Sequence, residues 1–339
     1  MANRDILAIG ASAGGVEALV FLAQNFPRDL PASVVVTVHL PPYGGSFLDE
    51  LLSNAGPLPA FFAPEHGRLR KSSIYIAPPD RHLILEGDSF TLGRGPRENN
   101  SRPAIDPMMR SAAVCCGSRA VGVVLTGTLS DGASGLWAID QCGGMTVVQN
   151  PDDADYPDMP VNALNRVRPD HVVKLSEMPR LLASLVTQPA GEAMPVPPSI
   201  GFEVAVAKGG HAAIAQMDGI GRRSGFACPD CHGAMWEIDE GDLVRFRCHV
   251  GHTYTADLMA LALDENLRRG LGSALRALEE RRSLASKLEK DADRRGHPHM
   301  AASWARRAKE FHRELEIIRD AMGRLDEIAA RQNQRVAAE

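Results

Sequence analysis

The chain has 339 residues, a formal net charge of −5, 44% hydrophobic and 23% charged residues, an ordinary water-soluble composition that favours neither a nucleic-acid-binding nor a membrane-surface protein. No apolar run approaches the ~20 residues of a membrane-spanning helix, and Met1 to Asp5 lead straight into a strand-like segment without a signal-peptide pattern. Six cysteines are too few for a disulfide scaffold, so a cytoplasmic protein with no membrane insertion and no nucleic-acid partner is expected.

Residues 5–9 form a short apolar run that ends in a glycine-rich turn and precedes a helical stretch bearing Val16, Leu19, Val20 and Leu22. A β-branched run follows at 33–38, then shorter strand-like segments at 74–77 and 82–85 around the turn Pro78-Pro79-Asp80. Residues 120–126 are almost continuously apolar, as befits a strand covered on both faces, and 145–149 and 171–175 continue the pattern. Strands separated by helix-length segments predict a doubly wound, mainly parallel α/β sheet over residues 1–187. Four prolines between 189 and 198 predict a Pro/Gly-rich linker over 188–224. It should insulate the first domain from a cysteine–histidine segment at 225–256 and a helical tail at 257–335.

Gly10-Ala-Ser-Ala-Gly14 matches G-x-S-x-G between a strand and a helix, where the turn lifts Ser12 above the carboxyl edge of the sheet. Two alternatives stand beside a nucleophile turn: a purely structural turn, and a dinucleotide-binding turn. The latter requires an acidic residue at the end of the second strand, where this chain has His39. His39 and Asp131, the latter on a Gly-flanked loop after the longest apolar strand, should emerge at the same edge as Ser12. A serine becomes an effective nucleophile when an imidazole takes its proton and a carboxylate orients that imidazole. The order Ser12, His39, Asp131 differs from the Ser, Asp, His order of α/β-hydrolases.

These residues, with His39-Leu-Pro-Pro42, Ile76-Ala-Pro-Pro-Asp-Arg-His82, Arg102-Pro-Ala-Ile-Asp106 and Thr126-Gly-Thr-Leu-Ser-Asp-Gly-Ala133, resemble the catalytic domain of the chemotaxis protein-glutamate methylesterases, the CheB family. The resemblance implies hydrolysis of glutamate methyl esters on methylated chemoreceptor-like proteins and, in many members, deamidation of receptor glutamines. It makes Ser12 the nucleophile, His39 the base and Asp131 its orienter, and it places oxyanion-hole N–H groups at Thr128 and Ala13. The chain departs from the family pattern at Ala13, where a hydroxyl residue is usual, and at Thr126-Gly-Thr-Leu129, where Thr-Gly-Met-Gly is usual. It is also expected to lack the phospho-receiver domain that gates the family, so regulation would come from a separate partner or the C-terminal module. A second reading is a weakly or non-catalytic signalling adaptor that docks partners through the methylesterase fold and the zinc–helix module.

Cys228-Pro-Asp-Cys231 and Cys248-His-Val-Gly-His252 have zinc-ribbon-like spacing. Trp236, Ile238, Leu243, Val244 and Phe246 supply the hairpin between them. The expected ligands are Cys228, Cys231, Cys248 and His252, with His252 preferred to His249 because C-x₃-H leaves the turn room to close. Four ligands make a closed structural zinc site that the chemistry does not need. Cys115, Cys116 and Cys142 lack such spacing and read as small buried hydrophobes. In the tail, Trp304, Ala308, Phe311, Leu315, Ile318, Met322 and Leu325 form an apolar heptad seam, and an earlier helix carries Leu267, Leu271, Leu275 and Leu278. An antiparallel helical hairpin is preferred there; a coiled coil for self-association or a signalling partner is the alternative.

Overall fold

The β-branched runs lie at the centre of the structure, a computed structural model that describes residues 2–40, 46–192, 194–210, 214–240 and 243–336. β1 (Ile6–Ala11), α1 (Gly15–Asn25), β2 (Ser33–Val38) and α2 (Leu48–Ala55) come first, followed by β3 (Ala60–Phe62), β4 (His66–Arg68), β5 (Ser73–Ile76), β6 (His82–Glu86) and β7 (Ser89–Gly93). Then come α3 (Ile105–Cys116), β8 (Ala120–Val124), α4 (Ala133–Gln141), β9 (Met145–Gln149), α5 (Asp158–Arg166), β10 (His171–Val173) and α6 (Met178–Leu185). α7 (Pro198–Ala207), α8 (Ile214–Asp218), β11 (Arg222–Ala227), β12 (Ala234–Glu240), β13 (Leu243–Cys248) and β14 (Thr253–Thr255) precede the long helices α9 (Ala256–Arg294) and α10 (Pro298–Val336). No helix among the described residues is long and apolar enough to cross a membrane.

Seven strands form a parallel sheet in the order β10-β9-β8-β1-β2-β5-β3. Alternation along β1 sends Leu7 and Ile9 into a core with α1 and α6, and Ile6 and Ala8 into a second core with α3 and α4. Both faces are therefore covered, which makes the fold the doubly wound α/β architecture expected. The chain winds from β1 to β2 on one side and returns to β8 on the other. The carboxyl ends of β1, β2 and β8 thus meet at a topological switch point, where α/β sheets bind ligands. The strand expected at 82–85 exists but lies outside this sheet, in an antiparallel β4-β7-β6 layer.

The domain boundary expected at 187 is corrected. The chain divides into two compact units, Met1–Met259 and Ala260–Glu339, so the cysteine–histidine ribbon belongs to the first. The stretch read as a linker holds α7 and α8. Pro198 opens α7, a position where proline's fixed φ and missing N–H suit the first helical turn. Ile200, Val204 and Ala207 of this helix are buried, and Val206 joins Met217, Trp236 and Ile238 in a core shared with the ribbon. Glu203, also buried, accepts hydrogen bonds from Arg245 at 3.0 Å and Arg247 at 2.8 Å and lies 3.5 Å from Arg110 of α3. The expected insulation of the first domain from the ribbon is therefore absent.

The ribbon is a four-stranded antiparallel sheet, β11-β12-β13-β14. Trp236, Ile238 and Phe246 are buried in it, whereas Val244 is exposed. In the second unit, α9 and α10 run antiparallel. Arg268 pairs with Asp326, Arg319 with Glu279 at 2.9 Å, and Arg281 lies over the Phe311 ring at 4.7 Å. Leu315 of the heptad seam is fully buried and its other members are half-buried, while Leu267 of the expected facing row is exposed.

Candidate active site and cysteine cluster

Ser12 follows β1, and its N–H donates to the Thr126 carbonyl at 3.0 Å, which fixes the turn against the loop after β8. Gly14 adopts φ 70° between Ser12 and the first turn of α1, a left-handed conformation that glycine takes without strain. Gly127 lies against Ser12 so closely that an added Cβ would sit 2.8 Å from the Ser12 Cβ and 2.1 Å from the Met159 Sδ. His39 follows β2, and Pro41 and Pro42 of its motif lie outside the described residues. Ser12 Oγ is 2.9 Å from His39 Nδ1, and His39 Nε2 is 2.7 Å from Asp131 Oδ2. The structure thus brings the three sequence-predicted residues into one hydrogen-bonded chain at the switch point. Asp131 accepts from Nε2–H, which leaves the Nδ1 lone pair for the Ser12 hydroxyl. The ring nitrogens are used in the opposite sense to the chymotrypsin-type triad, a detail with no sequence signature.

Asp131 is buried and accepts four further bonds that sequence reasoning did not identify. Oδ2 also takes the Ile105 N–H at 2.6 Å, and Oδ1 takes Asn99 Nδ2 at 2.9 Å, Asp106 N–H at 3.1 Å and its neighbour Gly132 N–H at 3.0 Å. Two of these donors come from the start of α3, where the helix dipole favours an anion. Burial opposes ionisation of Asp131, but the His39 hydrogen bond and charge, with the Ile105 and Asn99 donors, prevail and hold the carboxyl at about 2. Asp106, one bond away, accepts Asn99 Nδ2 at 2.8 Å, Gly132 N–H at 3.0 Å and Gly135 N–H at 2.6 Å. Its own burial, together with the Asp131 charge, pushes its carboxyl up to about 7.

The carboxyl pair is therefore expected to bind protons in two well-separated steps. For Asp131 the folded value lies below the ordinary 3.8, so its stabilising contribution is present above that value and is lost as pH falls towards about 2. For Asp106 the folded value lies above 3.8, so its contribution is greatest at acid pH and fades as pH rises towards about 7. Carbon-13 NMR of the two side-chain carboxyls should show midpoints near these values; an Asp106 midpoint near 4 would contradict the coupling.

The loop carrying Asp131 is braced on its outer side. Asn162 Nδ2 donates to the Leu129 carbonyl at 2.8 Å, Gly127 N–H donates to Tyr156 O at 2.9 Å, and Tyr156 N–H donates to Thr126 Oγ1 at 2.9 Å. Among the described residues, the Ala13 and Thr128 N–H groups, the expected oxyanion donors, have no hydrogen-bond acceptor. A hydroxyl bonded to an imidazole, itself oriented by a buried carboxylate, can transfer its proton as it attacks a carbonyl carbon.

The other predicted residues gather in the ribbon. Cys228 and Cys231 lie on the turn between β11 and β12, Cys248 ends β13, and His252 precedes β14. The Cys228 N–H donates to Gly233 O at 2.8 Å and the Cys248 N–H to His252 O at 3.0 Å, closing the two knuckles. Their donor atoms all lie within 4.8 Å of one another. Cys231 Sγ is 3.7 Å from Cys248 Sγ, and His252 Nδ1 is 3.6 Å from Cys228 Sγ and 3.5 Å from Cys248 Sγ. These separations match the edges of a tetrahedron with metal–sulfur bonds of ≈ 2.3 Å and metal–nitrogen bonds of ≈ 2.0 Å. His252 Nε2 lies 3.8 Å from Asp230 Oδ2, an outer carboxylate of the kind that orients ligating imidazoles. Tyr254 holds that carboxylate with a bond of 2.7 Å. His249 packs against Gly233, outside the group of four.

Fold and site together define a doubly wound α/β protein with a serine–histidine–aspartate constellation at its switch point. Residues 7–182 match the family described as CheB methylesterase, and the chain belongs to that family. It is 37% identical over 180 residues to the protein-glutamate methylesterase/protein-glutamine glutaminase 2 of Shewanella sp. (strain MR-4), covering 52% of this chain and 51% of that protein. It is 34% identical over 198 residues to the Salmonella typhimurium protein-glutamate methylesterase/protein-glutamine glutaminase, covering 57% of this chain and 56% of the relative. The chain thus spans about half the length of these curated relatives. The crystal structure of the Thermotoga maritima CheB methylesterase catalytic domain superposes with a TM-score of 0.53 at 29% identity, covering 55% of this chain and all of that one.

Proposed function

We propose that the chain is a serine hydrolase that removes methyl groups from glutamate methyl esters of a chemoreceptor-like protein in chemotaxis-type signalling. The observation that carries this reading is the chain from Ser12 Oγ through His39 to the buried Asp131. Ser12 Oγ attacks the ester carbonyl carbon as His39 Nδ1 takes its proton, and the Thr128 and Ala13 N–H groups receive the developing oxyanion. The C–OCH₃ bond then breaks, and methanol leaves with the proton from His39. Water, deprotonated by the same imidazole, hydrolyses the acyl-serine and regenerates the hydroxyl and a free glutamate. A glutamine side chain enters the same cycle with ammonia as the leaving group. Rapid-quench mass spectrometry with a γ-methyl glutamate peptide should find the peptide esterified to Ser12, with one methanol released per adduct. A folded chain that releases no methanol and forms no adduct would contradict this reading.

Cys228, Cys231, Cys248 and His252 would hold one zinc ion, whose four bonds would cross-link the two knuckles of the ribbon. Because folding and metal binding are coupled in such sites, elemental analysis should find one zinc per chain and Cys228→Ser should lose it. Full zinc occupancy in Cys228→Ser would refute this ligand set.

A further inference from the structure

The loops that hold the Asp131 carboxylate are tied to the strand that leaves the cysteine cluster. Thr253 and Thr255 of β14 follow His252 directly. The Thr253 carbonyl accepts the Asn99 N–H at 2.9 Å, and Asn99 in turn donates through Nδ2 to Asp131 and Asp106. Asn99 has φ 50°, so its amide reaches both carboxylates from a left-handed corner. On the other loop, Ser130 Oγ donates to Thr255 Oγ1 at 2.8 Å, one residue before Asp131. Asn99, Ser130, Asp131, Thr253 and Thr255 are all buried, so water cannot take over a broken bond at low cost.

A second set of contacts fixes the same corner. Glu98, next to Asn99, is buried in an ion pair with Arg110 and lies 3.9 Å from Arg247 of β13. Glu203 draws Arg110, Arg245 and Arg247 together from α7. The dipeptide Glu98-Asn99 therefore has one residue in the ribbon's buried charge cluster and the next on the Asp131 carboxylate.

From these contacts we infer that β14 is a positioning element of the esterase site. Thr253, acting through Asn99, and Thr255, acting through Ser130, hold Asp131 in register with His39. The state of the Cys228/Cys231/Cys248/His252 cluster consequently sets the hydrolytic rate although none of its ligands belongs to the reacting set. This inference rests on the esterase reading of Ser12 and deepens it by naming a remote determinant of that site.

The test uses the full chain, zinc-loaded, zinc-stripped by a chelator, and as Thr255→Val and Thr255→Ser. Valine keeps the shape and removes the acceptor for Ser130, whereas serine keeps the hydroxyl. With zinc content and circular dichroism unchanged, Thr255→Val should lower kcat about tenfold with KM unaltered, and Thr255→Ser should restore most of the rate. Stripping zinc should lower kcat by about 10²-fold, the scale expected when a reacting group is displaced by about 1 Å. The second readout is the low-field proton resonance of His39 Nε2–H in its bond to Asp131. It should shift or broaden on zinc removal and in Thr255→Val, and remain in place in Thr255→Ser. This resonance reports the His39–Asp131 bond whether or not the chain hydrolyses esters, so failure of the esterase reading and failure of the positioning role are separable. Full activity and an unmoved resonance in both zinc-free protein and Thr255→Val would overturn the inference.

Discussion

Ser12→Ala is expected to lower ester hydrolysis about 10⁶-fold, the scale seen when the nucleophile of a serine triad is removed. The turn should survive the substitution, because it is held by the Ser12 backbone N–H on Thr126 and by Gly14, neither of which uses the hydroxyl. Denaturation midpoints should therefore stay close to the wild-type value while the rate collapses to what oxyanion donors and binding alone supply. The same variant separates the enzyme from the adaptor reading. An adaptor would lose nothing measurable with Ser12→Ala, and a rate within tenfold of wild type would show that Ser12 is not the nucleophile.

Asp131→Asn is expected to cost about 10⁴-fold, and the hydrogen bonds explain why. Oδ1 faces three donors, Asn99 Nδ2 and the Asp106 and Gly132 N–H groups, while Oδ2 faces His39 Nε2 and the Ile105 N–H. An asparagine has one acceptor end and one donor end. Keeping its oxygen on the side with three donors turns the NH₂ towards His39, which must then accept at Nε2 and carry its proton on Nδ1. That tautomer cannot take the Ser12 proton. The opposite orientation sets a buried NH₂ against three donors, and either way Ile105 or its counterparts lose an acceptor at about 1–3 kcal/mol each. His39→Ala should match the Ser12→Ala loss, since serine and imidazole act as one unit. Steady-state kinetics of methanol release checks both, and an Asp131→Asn chain with near-normal kcat would contradict the orienting role.

Much of this could be read before the structure was known. The runs 33–38, 120–126 and 145–149 are β-branched and apolar on both faces, and they became central strands because only a sheet covered on both sides buries them. Ser12, His39 and Asp131 were legible because each closes such a run, and parallel strands deliver their ends to one edge. Asn99 and Asp106 were not identified, since nothing local distinguishes a turn asparagine that bonds a carboxylate 32 residues away from one facing water. The buried cluster of Glu98, Arg110, Glu203, Arg245 and Arg247 was equally hidden: each residue alone reads as solvent-exposed charge, and only the tertiary fold supplies its counter-ion. The linker was misread because prolines signal both chain breaks and helix starts. Pro198 does the second, and the helix it opens carries Glu203 into the interface between sheet domain and ribbon.

The most direct test of the esterase assignment is methanol release from membranes bearing methylated chemoreceptors. The wild-type chain, zinc-loaded and folded, should release methanol in proportion to the glutamate methyl esters lost, and Ser12→Ala should release none above background. Methyl esters that persist in the presence of the folded wild-type chain, or methanol released at the wild-type rate by Ser12→Ala, would contradict it.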